Sequence, residues 1–265
     1  MILSSAPRDL PQPARIRYLL LALYVASLAV IAISGYHLYT AQSTAVRQQT
    51  EAQLTSIAAL KTNQIVQWQQ ERLSHGRVLS RNPLLSLHVR DLMQKPGAEQ
   101  LRTLRGYLDV VQREYGYGQI RLADPQGNIR FALLDEVPAR ALPAPVAALV
   151  QETLVRKIPL MGDLRLNDRD GKPVAEVVTP ILLDAASADR RVIAVLILEI
   201  APENFLYPLL QSWPTVTASG ETLLVERRGD EVLYLNDLRY AANSALRLRR
   251  PMNEPALPAA IAAGS

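Results

Sequence analysis

Apolar residues run without a charge from Tyr18 to Ser34 (YLLLALYVASLAVIAIS), and the uncharged stretch continues to Val46. About 20 residues cross a hydrocarbon core of roughly 30 Å, so 18–39 is expected to be a membrane-spanning helix, with Tyr18, Tyr36 and Tyr39 near the two interfaces. Arg8, Arg15 and Arg17 precede the segment and the next basic residue is Arg47. That bias places residues 1–17 in the cytoplasm and 40–265 beyond the membrane. The competing reading is a cleaved signal peptide, since Ser43-Thr44-Ala45 resembles a small-residue cleavage site. The apolar run exceeds the usual signal core, and helix-forming sequence continues through the would-be cut, which favours an uncleaved anchor.

From 41 to 81 the pattern changes to a narrow helical stripe. Leu54, Ile57, Ala58, Ile65 and Trp68 recur at helical spacing among many glutamines, and no proline appears before Pro83. The spacing predicts one long helix, about 60 Å over 40 residues, wet over most of its circumference: a stalk covering 40–82. Asn82-Pro83 is expected to break it. Two shorter helices follow at 84–94 and 99–113, separated by Lys95-Pro96-Gly97.

The period then switches to two. Segments 118–123 (GQIRLA) and 128–133 (NIRFAL) alternate around the turn Asp124-Pro125-Gln126-Gly127, which predicts a hairpin. A helix is expected at 143–154, and strands at 174–183 and 191–200 joined by a polar connection at 184–190. The run 192–198 is intensely apolar but only seven residues long, so it reads as a buried strand ending at Glu199. A short helix at 204–212 precedes a second hairpin, 222–227 and 231–235 around Arg228-Gly229-Asp230. The residues beyond it carry Pro251, Pro255, Pro258 and an Ala-rich end, and predict no completion of that second sheet. The fold class is thus α+β: a membrane helix, a stalk, an antiparallel sheet with flanking helices at 83–203, and the start of a smaller lobe at 204–265.

Composition narrows the chemistry more than it defines it. The 265 residues contain no cysteine, which excludes a thiol catalyst, a disulfide framework and a cysteine zinc site. A net charge of +4, with both signs interleaved, gives no basic stripe for nucleic acid. His37, His75 and His88 have no metal-binding spacing and read as solvated or core-edge residues. Asp168-Arg169-Asp170-Gly171 lacks the later ligands of a calcium loop and reads as a charged turn. No phosphate-binding glycine loop, nucleophile elbow or metalloprotease helix occurs, so neither a catalytic residue nor a cofactor is expected. Arg247, Arg249 and Arg250 read as a solvated strand face, and Trp68 as a core residue on the stalk.

Lys61, Ile65, Trp68, Glu71 and Arg72 on the stalk, the Tyr115-Gly116-Tyr117 approach to a strand and the Asp124-Pro125-Gln126-Gly127 turn resemble the double-Cache periplasmic sensor regions of bacterial receptors. Phe205-Leu206-Tyr207-Pro208, Trp213-Pro214-Thr215, Glu221-Thr222-Leu223-Leu224-Val225 and Leu235-Asn236-Asp237-Leu238-Arg239 are similar to a segment of membrane-bound, PAS-containing histidine kinases and diguanylate cyclases. The resemblance covers about residues 15–260. It implies a non-enzymatic sensor of a small molecule in the bacterial inner membrane, a single span, and truncation before the second lobe is complete and before any output domain; the length and narrow apolar stripe of the stalk predict a homodimer through it. It also implies a ligand pocket over the sheet. Strand alternation puts Arg121 on the face away from Ile120 and Leu122, and Tyr117, Arg121, Arg165 and Glu176 are the candidate ligand contacts. The sequence lacks the Tyr, Arg, Trp-Tyr and Asp pattern of amino-acid-binding members, so no amino-acid ligand is implied. A membrane-anchored interaction protein without a ligand and an exported enzyme are the competing classes.

Overall fold

The computed structural model describes residues 13–135, 141–183, 191–213, 220–254 and 257–264. The chain divides into two compact units, 1–59 and 60–265. Helix α1 (Pro13–Ser80) carries residues of both. In the first unit its apolar stretch has a mean hydropathy of 2.2 over 18 residues and is wholly exposed. Ser27 Oγ donates back to the Tyr24 carbonyl at 2.8 Å and, further along the helix, Thr44 Oγ1 to that of Thr40 at 2.9 Å. A hydroxyl bonded back to its own helix suits a hydrocarbon surrounding.

The second unit begins at Leu60 and contains everything else described. Asn82 ends α1 and starts α2 (Pro83–Gln94): its side chain accepts the Leu85 N–H at 3.0 Å, with proline in the first helical position. Helix α3 (Ala98–Tyr115) follows, two residues longer than the sequence pattern at its C-terminal end. The predicted hairpin is β1 (Ile120–Ala123) and β2 (Ile129–Ala132), paired antiparallel. Asp124 closes its turn by accepting the N–H groups of Gln126 at 3.0 Å and Asn128 at 2.9 Å.

After α4 (Ala144–Arg156) come two strands too short to leave a pattern, β3 (Leu160–Met161) and β4 (Arg165–Leu166), then β5 (Pro173–Leu183) and β6 (Arg191–Ile200). The sheet order is β2-β1-β6-β5-β3, with β4 also on β5, and every pairing is antiparallel. Asp168–Gly171 forms the turn between β4 and β5, Asn167 N–H donating to the Lys172 carbonyl at 2.7 Å. The predicted connection at 184–190 lies outside the described residues.

The sheet has a helix layer on each face. On one side Ile120, Leu122, Leu196, Leu198, Val177 and Ile181 join the α2 and α3 core and Trp68 and Leu79 of α1. On the other, Val146 and Val150 of α4 cover Val178, Val195 and Ile197. Burying six aliphatic side chains of this size stabilises by about 1.5–3 kcal/mol each before the entropy of ordering is subtracted. Gly76 sets how close α1 comes to the sheet. A Cβ there would sit 3.0 Å from Pro159 and 3.3 Å from Thr179 Oγ1, whose hydroxyl donates to the Gly76 carbonyl at 2.8 Å.

A 3₁₀ turn (Pro202–Asn204) and α5 (Leu206–Gln211) lead to β7 (Val225–Arg228), β8 (Glu231–Tyr234) and β9 (Arg249–Pro251), in the order β7-β8-β9. The residues beyond the hairpin form elements where none was expected. Arg249–Pro251 supplies a third strand, exposed throughout, and the Ala-rich α6 (Pro258–Gly264) packs Ala259 and Ala260 on Val232 and Tyr234. A three-residue basic strand and a seven-residue alanine helix have too little pattern of their own to be read locally; their pairing partners define them.

The K-x-x-x-I-x-x-W-x-x-E-R spacing on α1 has a physical account. Lys61 donates to the Leu209 and Ser212 carbonyls and to Ser212 Oγ at 2.8 Å, occupying the free carbonyls at the end of α5. Two and three turns further on, Trp68 stacks on Phe205 at 6.0 Å and 11°, and Arg72 donates to the Tyr115 carbonyl at 2.8 Å.

Candidate functional site

The pleat sorts the central strands into two chemistries. Leu196, Leu198 and Ile200 of β6 enter the core shared with α1, while Glu199 falls on the α4 face. In β5, Val177 and Ile181 go one way and Glu176 and Val178 the other. Register then sets Glu176 directly opposite Glu199. Two carboxylates in that position repel, and both are buried, 2% and 9% exposed.

Two arginines from neighbouring strands offset the conflict. Arg165 of β4 donates to both Glu176 oxygens, through Nε at 3.3 Å to Oε2 and through Nη2 to Oε1, and through Nη1 to the Leu166 carbonyl at 3.0 Å. Arg121 of β1 pairs opposite Ile197 and reaches diagonally to Glu199 Oε2 at 3.4 Å. Asn167 Nδ2 stands 3.5 Å from the other Glu199 oxygen. At the rim, buried Gln119 donates to Asp135 at 2.9 Å and accepts the N–H groups of Ile120 and Leu134, while Arg169 pairs with Asp135.

Burial is the main reason the Glu199 carboxyl is pushed above its usual range; Arg121 opposes the shift, Glu176 adds to it, and Arg165 and Arg169 oppose it from further off. The cluster therefore holds one acid that takes up a proton more readily than a free glutamate, inside a ring of guanidinium and amide donors. A cluster of this kind has the chemistry to exchange one of its internal pairs for a pair with an ionic or strongly polar small molecule.

The structure brings together Arg121, Arg165 and Glu176 of the four residues expected from sequence, and Arg121 projects from the face away from α1. Tyr117 is not brought to that cluster. The left-handed turn at Gly116 (φ 67°) ends α3 and sends the chain back, with Tyr117 N–H on the Gln112 carbonyl at 3.1 Å, before strand alternation begins. Tyr117 is 5% exposed in the α1 core, beneath the Arg72 guanidinium at 5.8 Å and 6.2 Å from the Tyr115 ring. Burial pushes its hydroxyl pKa up, against the pull of Arg72. Sequence reasoning missed Glu199, Gln119, Asp135, Asn167 and Arg169. Of these only Glu199 left a signal, as the acid that ends an apolar strand.

No family model matches the chain, and no curated protein matches it. Among solved structures it is similar to the sensor domain of the Vibrio cholerae histidine kinase DctB, at 13% identity and a TM-score of 0.49 over 62% of this chain and 60% of that one. The sensory domain of the Campylobacter jejuni chemoreceptor Tlp3 (CcmL) gives 16% identity and a TM-score of 0.49 over 64% and 68%. A domain of a Vibrio parahaemolyticus sensory box/GGDEF family protein gives 16% and 0.46 over 60% and 62%. The match thus spans about three fifths of the DctB chain.

Proposed function

We propose that this chain is the extracytoplasmic, small-molecule-sensing region of a single-span receptor in a bacterial inner membrane, acting on an output of the histidine-kinase or diguanylate-cyclase type. The N-terminus is cytoplasmic, residues 40–265 are periplasmic, and two copies associate through 40–82. The observation that carries the reading is the charged cluster on the α4 face of the sheet: buried Glu176 and Glu199 with half-buried Arg121 and Arg165, from four strands, where a core needs no charge. Buried ion pairs contribute little net stability compared with apolar packing of the same volume, so their concentration at one place points to recognition. The chain performs no catalysis in this reading.

The test is a thermal-shift screen of the full chain in detergent micelles against organic acids, amines and purines. A ligand at about 100 times its dissociation constant adds about 2.7 kcal/mol to the folded state and raises the melting temperature measurably. A saturable hit that Arg121→Ala abolishes supports sensing at this cluster. A cooperative melt with no hit across the panel favours a ligand-free interaction protein instead. Sedimentation showing only monomer at high concentration would remove the stalk dimer.

A further inference from the structure

A second place in the same unit has the lining of a ligand site and shares no residue with the charged cluster. Where the end of α2, the start of α3, the β1–β2 turn and the first residues of β6 meet, a cavity of about 650 Å³ opens between the helices and the sheet. Its apolar lining includes Leu92, Met93, Leu101, Ile129 and Ile193, and its rim carries Arg90, Arg130 and Arg191 with one carboxylate, Asp124.

The three guanidiniums come from three elements, and their internal partners do not use them up. Asp124 is committed to its own turn, accepting from Gln126, from the Asn128 backbone and side chain, and from Arg130 Nε at 2.8 Å and Nη2 at 2.6 Å. Burial alone would raise the Asp124 pKa, but the bonds from Asn128 and Arg130 outweigh it and hold the carboxyl below its usual range, so the aspartate stays ionised and occupied. Arg130 keeps Nη1 beyond that pair and is 54% exposed at its side chain. Arg90 meets Asp91, its exposed chain neighbour, at 3.1 Å. Arg191 stands opposite Leu183 at the start of β6 and, among the described residues, has no ion-pair partner.

We propose that this cavity binds a small organic carboxylate with an apolar body, its carboxylate on Arg191 with Arg90 and Arg130 beside it, and its body against Met93, Leu101 and Ile193. A guanidinium offers a planar pair of donors that matches a carboxylate, and the volume lies within the range of small-molecule sites.

The test uses the full chain in detergent micelles and benzoate as the probe, followed by saturation-transfer NMR and by melting temperature, with benzyl alcohol and inorganic phosphate as the body-only and anion-only arms. Benzoate is expected to bind saturably, and more tightly than either arm. Arg191→Ala is expected to weaken it about tenfold or more, with Arg90→Gln as an independent second variant, whereas Arg228→Ala, which removes the same charge from exposed β7, leaves it unchanged. Three results would overturn the proposal: no saturable benzoate signal, an equal loss in Arg228→Ala, or benzyl alcohol binding as tightly as benzoate. Inorganic phosphate binding as tightly as benzoate with the same Arg191 dependence would overturn the organic class.

Discussion

Arg165→Met tests how the charged cluster is held together. It removes the cation from Glu176, which is 2% exposed and faces Glu199 across the β5–β6 pair. Breaking a buried pair from one side leaves an uncompensated charge and costs about 3–5 kcal/mol. For a unit of 206 residues (60–265), each kcal/mol moves the melting temperature by about 2–4 °C, so the variant is expected to melt roughly 6–20 °C lower at neutral pH. Adding Glu176→Leu removes the stranded charge and the repulsion with Glu199 together, and the double variant should recover most of the loss or exceed the wild type.

The assay is thermal denaturation followed by circular dichroism at neutral pH. The reasoning fails if Arg165→Met melts within a few degrees of wild type, or if the double variant is no better than the single one.

Glu199→Gln should gain on the wild type as pH rises. The raised Glu199 pKa gives the wild type stability that is present below the unfolded pKa and lost on passing upward through the folded one, and glutamine has no such loss; a melting-temperature difference that is flat or shrinks with rising pH counts against it. Trp68→Ala, at a residue 3% exposed and stacked on Phe205, should cost about 3–5 kcal/mol in denaturant unfolding. Lys61→Met strips the α5 end of its donor, leaves the Leu209 and Ser212 carbonyls short of a partner, and should cost about 1–3 kcal/mol; unchanged stability would mean that water replaces the ammonium at no cost.

What could be read from the chain was what short-range physics writes into it. Asn82-Pro83 broke the long helix where a cap and a missing donor required it, Asp124 to Gly127 turned the first hairpin, and the seven-residue apolar run became a buried strand. The face of Arg121 followed from a period of two. Registers between distant strands were not legible, because nothing local pairs Glu176 with Glu199 or brings Arg165 across from β4. Tyr117 was misplaced for a related reason: the alternation that orients Arg121 holds only inside the strand, and the turn at Gly116 lies before it. The strands β3, β4 and β9 have two or three residues each, fewer than one full alternation on both faces.

The sheet is also the shortest path between the charged cluster and α1. Glu176 and Thr179 lie on the same strand, about 10 Å apart at 3.3 Å per residue, one aimed at the arginines and the other at Gly76. Gly76 already sits at the limit of approach to Pro159 and Thr179, and a close-packed contact of this kind yields by switching between arrangements more readily than by gradual deformation. A ligand that takes Arg165 or Glu176 from its partner changes what restrains β5 at one end of that path. The amides of residues 76–80 at the other end should then alter their hydrogen-exchange protection on saturation with the hit from the thermal-shift screen. Thr179→Val, which keeps the shape and removes the hydroxyl bond to the Gly76 carbonyl, should weaken that response while leaving ligand affinity nearly intact. Ligand-induced protection changes that stay within β4, β5 and β6 in both proteins would mean that the cluster binds without informing the helix.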